Sequence, residues 1–164
     1  MKDNKMQLAL NEQINAEIYS AYLYLAMAAY FDNLNLTGFA NWMKIQAQEE
    51  MSHAMKIYKY IYDRRWEVKF TAIAAPQNTW QSPLAAMEAA FAHEQTITAK
   101  INQLMDLAVA TKDYASQSLL KWFVDEQVEE EANADDIVHK IKAIKENPGL
   151  MLRLDAELGR RQAE

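Results

Sequence analysis

The scarcity of residues that end helices constrains this chain more than any other feature of its sequence. Its 164 residues include only 3 Gly and 3 Pro, and 51% of them are hydrophobic. No Gly or Pro stands between Pro83 and Pro148. Because Gly and Pro are the strongest helix breakers and the abundant residues favour helix, the sequence predicts an all-α protein. Its length fits a single domain that spans residues 1–164.

Four long segments of helical periodicity are separated by the few breakers that the chain contains. Ser82-Pro83 is typical of a helix start, and Asn147-Pro148 begins a shorter fifth segment. In the first segment, Leu8, Ala21 and Leu25 recur at helical spacing. We therefore predict four long helices and one short helix, at about 5–31, 38–65, 83–110, 114–145 and 148–160.

The irregular stretch between the second and third predicted helices determines the expected topology. Roughly 17 residues can extend to about 56 Å, whereas a helix of roughly 28 residues is about 42 Å long. The stretch can therefore cross the whole length of a bundle. The turn between the third and fourth helices is short, so these helices must be antiparallel. We expect a four-helix bundle made of two antiparallel hairpins that one long crossover joins.

Composition limits the possible partners and the kinds of metal site. The chain has no Cys, which excludes disulfides, thiolate zinc sites and iron–sulfur clusters, so any metal must be held by oxygen and nitrogen ligands. A net charge of −6 argues against nucleic acid as a partner. The first residues lack the apolar core of a signal peptide, and no apolar run is long enough to cross a bilayer. We expect a cytoplasmic protein that does not bind a membrane.

Each long helix carries a glutamate near its midpoint, in register with apolar residues. These four residues are Glu17, Glu50, Glu94 and Glu130. Because the midpoints of packed helices coincide whichever way the helices run, the four carboxylates should point inward at one level. Four buried carboxylates carry a charge of −4 and would repel one another. Two divalent cations would cancel that charge, so the pattern predicts a dinuclear metal site.

Neutral side chains complete the predicted site. His53 follows Glu50 by three residues and shares its helix face, and oxygen ligands with one imidazole suit iron or manganese. Gln127 is expected to be a neutral ligand or an orienting group. Tyr24 lies on the face of Glu17, where it either hydrogen-bonds a ligand or packs in the core. Trp122, one turn before Glu126, is either a nearby electron donor or a core residue.

Four motifs together resemble the ferroxidase motifs of bacterial-type non-haem ferritins, in the ferritin-like superfamily. They are Asn15-Ala16-Glu17, Gln48-Glu49-Glu50-Met51-Ser52-His53, His93-Glu94-Gln95 and Glu126-Gln127-Val128-Glu129-Glu130-Glu131. The resemblance covers nearly the whole chain and implies a ferritin-like bundle. It implies that Glu17, Glu50 and His53 bind one iron, and that Glu50, Glu94 and Glu130 bind the second. Tyr24 and Gln127 would then lie beside the iron pair and share in catalysis with Glu50.

The resemblance also implies a function. The protein would be a ferroxidase that oxidises Fe(II) to Fe(III) with O2 or H2O2, and would store iron as ferric mineral. Storage requires a cavity, and the resemblance implies a homo-oligomeric shell of about 24 subunits. A third iron site is implied at Glu49, Glu126 and Glu129, together with Glu130. The alternative interpretation of these three acidic residues is a solvated helix face.

Two other functions are compatible with the same helices. Haem-containing bacterioferritins carry a second Glu-x-x-His on the fourth helix, where this chain has Gln127-x-x-Glu130. No haem is therefore expected. Met51 occupies the position where a bacterioferritin methionine ligates haem, but methionine there also fits the non-haem pattern. A di-iron or di-manganese oxidase or peroxidase that stores no iron could use the same bundle, because a fold does not determine its chemistry.

Overall fold

In the computed structural model, which describes residues 5–163, the chain forms five helices and no strand. They are α1 (Lys5–Asn33), α2 (Thr37–Asp63), α3 (Pro83–Ala110), α4 (Tyr114–Ile144) and α5 (Pro148–Leu158). The all-α class is confirmed, and the observed helix ends lie within two residues of the predicted ones. Within the described residues, no helix combines the length and the hydropathy that a membrane span requires.

The helices form a bundle of two antiparallel hairpins, as predicted. α1 packs along α2 and α3 packs along α4, and each pair is joined by a turn of three residues. The long segment 64–82 joins the two pairs and returns along α1. Its backbone oxygen at Glu67 accepts hydrogen bonds from Gln7 and Asn11, both at 3.1 Å. One turn further along α1, Asn15 donates to Thr71 Oγ1 at 2.6 Å. Polar side chains of α1 therefore bind the crossover at successive positions along the helix.

Left-handed backbone positions, rather than glycines, reverse the chain between helices. Asn35, Arg65 and Lys112 have φ values of 58°, 59° and 54°. These positions allow the next amide to turn back to the preceding helix, as in the 2.9 Å hydrogen bond from the Asp113 amide to the Ala108 carbonyl. Ser82 caps α3 by accepting from the Ala85 amide at 3.0 Å, which confirms the predicted helix start.

The apolar core is divided into two clusters. Phe31 and Phe39 stack near the α1–α2 turn, with ring centroids 4.9 Å apart, and Met43 and Met87 pack in the same cluster. The second cluster fills the opposite end of the bundle, around Leu10, Ile57, Ile101 and Phe123. A layer of buried polar side chains lies between them. The candidate site occupies this layer.

One part of the predicted apolar pattern is wrong. Leu8 and Leu25, which recur at helical spacing in the first predicted helix, are each 51% exposed, whereas Ala21 of the same series is buried. Leu10 and Tyr24, which lie in register with Glu17, are buried, and so is Ile14. The apolar residues of α1 are too numerous to define one face by spacing, so packing against α2 and α3 selects the buried ones.

The short helix α5 packs across the beginning of α2. Gly38 approaches so closely that a Cβ atom placed on it would lie 1.7 Å from the backbone oxygen of Asp155. The Asp155 carboxylate also accepts a hydrogen bond from the Phe39 amide at 2.9 Å. α5 also contacts α4, so it covers one end of the bundle and directs the residues that follow it toward α2.

Candidate metal centre

The four helix-centred glutamates converge on the polar layer between the two core clusters. Glu17, Glu50, Glu94 and Glu130 come from four different helices, and none is more than 4% exposed. The side chains of His53 and Gln127 are buried at the same level. Six predicted site residues therefore lie together in the interior, although they are far apart in the sequence.

The four carboxylates and His53 form two overlapping clusters, and Glu126 adds a third group with His53 and Glu130. Glu17, Glu50 and His53 each offer a ligand atom within 4.8 Å of the other two. Glu50, Glu94 and Glu130 form a second set with the same spacing. Glu50 belongs to both sets, so its carboxylate lies where one group could bridge two cations. Oxygen ligands with a single imidazole suit iron or manganese.

An unsatisfied carboxylate oxygen points to a cation at the first cluster. Glu17 Oε1 accepts a hydrogen bond from Gln13 Nε2 at 2.8 Å. Glu17 Oε2 is buried and has no hydrogen-bond partner. Such an atom loses its hydration without compensation, and a bound cation would supply the missing interaction. The donor set therefore fits a hard metal ion.

Burial raises the pKa of all four carboxyl groups. The pKa values of Glu17 and Glu50 lie well above the usual range, because burial disfavours the charged form and neighbouring glutamates repel it. Burial and the charge of Glu94 raise the pKa of Glu130 to about 8. The pKa of Glu94 is raised mainly by burial. Part of the cluster therefore holds protons at neutral pH when no cation is bound, and cations would displace them.

Two side chains hold the carboxylate of Glu94 in place. Tyr24 donates a hydrogen bond from its hydroxyl to Glu94 Oε1. Gln127 Nε2 donates to Glu94 Oε2 at 3.1 Å and to Thr98 Oγ1 at 3.2 Å. Of the two roles considered for Tyr24, the structure places its hydroxyl against a candidate ligand, and the ring also packs in the core. Gln127 occupies the position of an orienting group.

The remaining histidines and the nearby tryptophan lie outside the two clusters. His93 is hydrogen-bonded to Ser20 at 2.7 Å, and burial lowers its pKa to about 4, so it is a neutral structural residue. His139 is exposed, and its Nδ1 lies 3.3 Å from Asp135 Oδ1. Trp122 is partly exposed, and its ring meets that of His53 edge-on with centroids 5.4 Å apart. Trp122 thus borders the site without entering it.

The three residues predicted for a third iron site have different surroundings. Glu49 Oε2 pairs with Arg161 Nη2 at 2.5 Å. Glu126 Oε1 lies 3.6 Å from His53 Nε2, and Glu126 forms a cluster with His53 and Glu130. Glu129 is exposed. Among the residues that the structure describes, neither Glu49 nor Glu129 belongs to a three-residue metal cluster. The third site stays a prediction.

Sequence reasoning missed the polar residues behind the ligands. Gln46 Nε2 donates to Glu130 Oε2 at 2.5 Å and to Glu50 Oε1 at 3.4 Å. Gln13 supports Glu17 from the same relative position, since each glutamine precedes an inward glutamate by four residues. That spacing places both on the buried face and could have revealed them. Arg161 is far in the sequence from the glutamates of the site, and no local sequence pattern marks it as a site residue.

Comparisons with known proteins agree with this geometry. Residues 7–144 match the family model described as a ferritin-like domain. The bacterial non-heme ferritin of Bacteroides fragilis strain 638R is 44% identical over 161 residues, which cover 98% of this chain and 100% of that protein. The bacterial non-heme ferritin of Staphylococcus saprophyticus is 43% identical, with 98% of this chain and 96% of that protein covered.

Solved structures give the same result. An open-pore ferritin from the hyperthermophilic archaeon Archaeoglobus fulgidus superposes with a TM-score of 0.97 at 51% identity, and the match covers 99% of this chain and 100% of that one. An engineered closed form of the Archaeoglobus ferritin has the same TM-score, 0.97, at 50% identity, with both chains covered completely. The buried carboxylates thus lie in a bundle that known ferritins share over their full length, and this chain belongs to the ferritin family.

Proposed function

We propose that this protein stores iron and is a ferroxidase. Fe(II) is its substrate, and the two overlapping carboxylate clusters bind two Fe(II) ions side by side. The observation that carries the proposal is the position of Glu50, which belongs to both clusters. The family relationship supports it, because the relatives named above are non-heme ferritins.

The residues present favour oxidation of bound Fe(II). Hard, anionic oxygen ligands stabilise Fe(III) more than Fe(II), so they make each electron easier to remove. Each of two Fe(II) ions gives up one electron. O2 takes up both electrons with two protons and becomes H2O2, whereas H2O2 as the oxidant takes up two electrons and two protons and becomes two water molecules. Shared coordination by Glu50 keeps the two electron donors next to each other.

Tyr24 and Gln127 assist by holding Glu94 rather than by supplying charge. Each donates a hydrogen bond to a different oxygen of that carboxylate. A carboxylate that is held in this way keeps its direction while the iron charge changes. The amide of Gln127 is also a weak ligand at most, which leaves coordination positions for the oxidant and for the departing product.

Storage requires an assembly, because one bundle encloses no space for mineral. We propose a shell of about 24 copies of this chain in the cytoplasm, in which Fe(III) collects as a ferric oxyhydroxide. α5 is the part of the chain beyond the four-helix bundle, so it is available to shape contacts between subunits. Closed symmetry of this kind would place the same surface of every copy in contact with its neighbours.

Aerobic loading with Fe(II), followed by size-exclusion chromatography with iron detection, tests these statements together. The wild type should oxidise Fe(II) rapidly, and the iron should elute with a large assembly. In Glu50→Ala, the rate of Fe(II) oxidation should fall by a factor of about 100 or more, because both clusters lose a ligand. Asp63→Ala alters an exposed carboxylate on the same helix and is the matched control.

Each result separates one statement from the others. An unchanged oxidation rate in Glu50→Ala would contradict the ferroxidase proposal. Rapid oxidation by a protein that elutes as a monomer or dimer would remove the storage proposal and leave the oxidation chemistry standing. Oxidised iron that leaves the assembly would favour a non-storage oxidase on the same bundle.

A further inference from the structure

Arg161, which follows α5, reaches back to α2 and places its guanidinium near the metal centre. Nη1 donates to Gln46 Oε1 at 2.9 Å and to the Trp42 backbone oxygen at 3.3 Å. Nη2 pairs with Glu49 Oε2 at 2.5 Å. The guanidinium carbon also lies 4.5 Å from the centroid of the Trp42 ring. These contacts confine the side chain, which is only 20% exposed, to one orientation.

Gln46 connects Arg161 to the candidate ligands. Gln46 is 1% exposed, and its terminal amide carries an acceptor oxygen and a donor nitrogen that point in different directions. The oxygen accepts from Arg161, and the nitrogen donates to Glu130 at 2.5 Å and to Glu50 at 3.4 Å. A guanidinium can only donate hydrogen bonds. Arg161 therefore requires the amide oxygen to face it, and this orientation turns the amide nitrogen toward the carboxylates.

We propose that Arg161 and Gln46 are positioning residues, and that the segment after α5 completes the metal centre by setting the orientation of Glu130. The inference rests on the proposed function, since it concerns the same two clusters. Neither residue needs to touch a metal ion. Arg161 acts through the amide of Gln46, and Gln46 acts through the hydrogen bond that it donates to Glu130.

The proposed connection affects one cluster more than the other. Glu130 belongs to the cluster with Glu50 and Glu94, whereas Glu17 belongs to the cluster with His53 and is held by Gln13. Without Arg161, the Gln46 oxygen loses the donor that holds it, so only the hydrogen bonds to the carboxylates fix the amide, and the Gln46 side chain holds Glu130 less firmly. The cluster that contains Glu130 should weaken more than the cluster that contains Glu17, because Gln46 reaches the latter only through its longer hydrogen bond to Glu50, at 3.4 Å.

Co(II) titration of the assembled protein without oxygen tests this proposal, because Co(II) absorbs visible light and is not oxidised under these conditions. The wild type should bind two Co(II) ions per chain in two resolvable steps. Arg161→Ala and Gln46→Ala should each weaken one step by about 10- to 100-fold, the usual effect of removing a group behind a metal ligand. The spectrum of that Co(II) should change as well. Arg160→Ala, at the exposed neighbouring arginine, is the matched control.

A double variant distinguishes action through Gln46 from a general effect on α5. If Arg161 acts through Gln46, the Arg161→Ala/Gln46→Ala protein should bind no more weakly than Gln46→Ala alone. Arg161→Met keeps much of the side-chain length but has no donor, so it replaces Arg161→Ala should the smaller residue prevent assembly. A merely structural role would lower the melting temperature without a selective change in one Co(II) spectrum.

Three results would overturn the proposal: Co(II) binding by Arg161→Ala that equals the wild type, equal weakening of both steps, or additive losses in the double variant. Failure of the proposed function gives a different result. A protein without the dinuclear site would bind no pair of Co(II) ions even as the wild type, whereas a protein with the site but without the proposed activity would bind the pair and fail the Fe(II) loading experiment.

Discussion

The hydroxyl of Tyr24 on α1 donates a hydrogen bond to Oε1 of Glu94 on α3, in the buried interior of the bundle. Gln127 on α4 donates to the other oxygen of the same carboxylate at 3.1 Å. One candidate ligand is therefore held from two other helices. This arrangement restricts the rotation of Glu94 before any iron is bound.

Tyr24→Phe should slow Fe(II) oxidation by about 10-fold, because Glu94 loses one of its two donors while the aromatic ring still fills the core. Stopped-flow absorbance of Fe(III) formation measures the rate, and circular dichroism confirms the fold. Tyr22→Phe removes the hydroxyl from a half-exposed tyrosine on the same helix and should leave the rate unchanged. Equal rates in Tyr24→Phe and the wild type would show that this hydrogen bond has no role in oxidation.

The buried carboxyl groups predict that the metal-free protein becomes less stable as the pH rises. The pKa of Glu130 rises from its ordinary value of 4.5 in the unfolded chain to about 8 in the folded protein. Between these values the folded protein keeps a proton that the unfolded chain has lost. The stabilisation is therefore complete below pH 4.5 and is lost as the pH rises through about 8. The raised pKa values of Glu17 and Glu50 act in the same direction.

Chemical denaturation in the presence of a chelator, repeated from pH 5 to pH 9, measures this dependence. Glu130→Gln should make the decline shallower, because the amide does not titrate. Binding of Co(II) should remove the decline and raise the stability most at high pH, where the metal neutralises charges that otherwise repel one another. A metal-free protein whose stability rises over this range would contradict the predicted protonation of the cluster.

The contact between α2 and α5 predicts a severe effect at Gly38. In Gly38→Ala, the new methyl group would lie 1.7 Å from the backbone oxygen of Asp155, and a backbone atom cannot move aside as a side chain can. We expect α5 to be displaced and the free energy of unfolding to fall by about 1–3 kcal/mol. Denaturant unfolding measures the loss.

Gly149→Ala is the matched control for this substitution. It lies in α5 itself, where the nearest atom to a new Cβ is the side-chain oxygen of Asn147 at 3.4 Å. Alanine should be tolerated there and should favour the helix slightly. If both variants were equally stable, the close packing of α5 on Gly38 would not be a feature of the protein in solution.

The left-handed turn between α3 and α4 predicts a stabilising substitution. Lys112 has a φ of 54°, a conformation that costs an L-residue about 1–2 kcal/mol and costs glycine much less. Lys112→Gly should therefore raise the free energy of unfolding by up to about 1 kcal/mol, after the greater flexibility of glycine in the unfolded chain is subtracted. The control is Lys121→Gly, within α4, which should lower it by about 1 kcal/mol. Thermal unfolding of both variants provides the comparison, and a loss of stability in Lys112→Gly would contradict the expectation.

Much of the site could be predicted because its ligands sit on regular helices. Helical spacing placed Glu50 and His53 on one face, and the common midpoint of packed helices brought Glu17, Glu94 and Glu130 to their level. The orienting residues were harder to predict. Gln46 resembles any other polar helix residue until the helix that faces it is known, and Arg161 lies in the tail beyond the last helix.

The sequence by itself determined the helices, their order and the residue types available to bind metal, because these depend on local propensity and on periodicity along one chain. Tertiary structure alone decided which leucines of α1 face solvent, which oxygens of Glu94 accept from Tyr24 and Gln127, and that Arg161 reaches Gln46. Each of these depends on the relative rotation and approach of separate helices. Packing sets those quantities through the summed contacts of many residues, and no short stretch of sequence carries them.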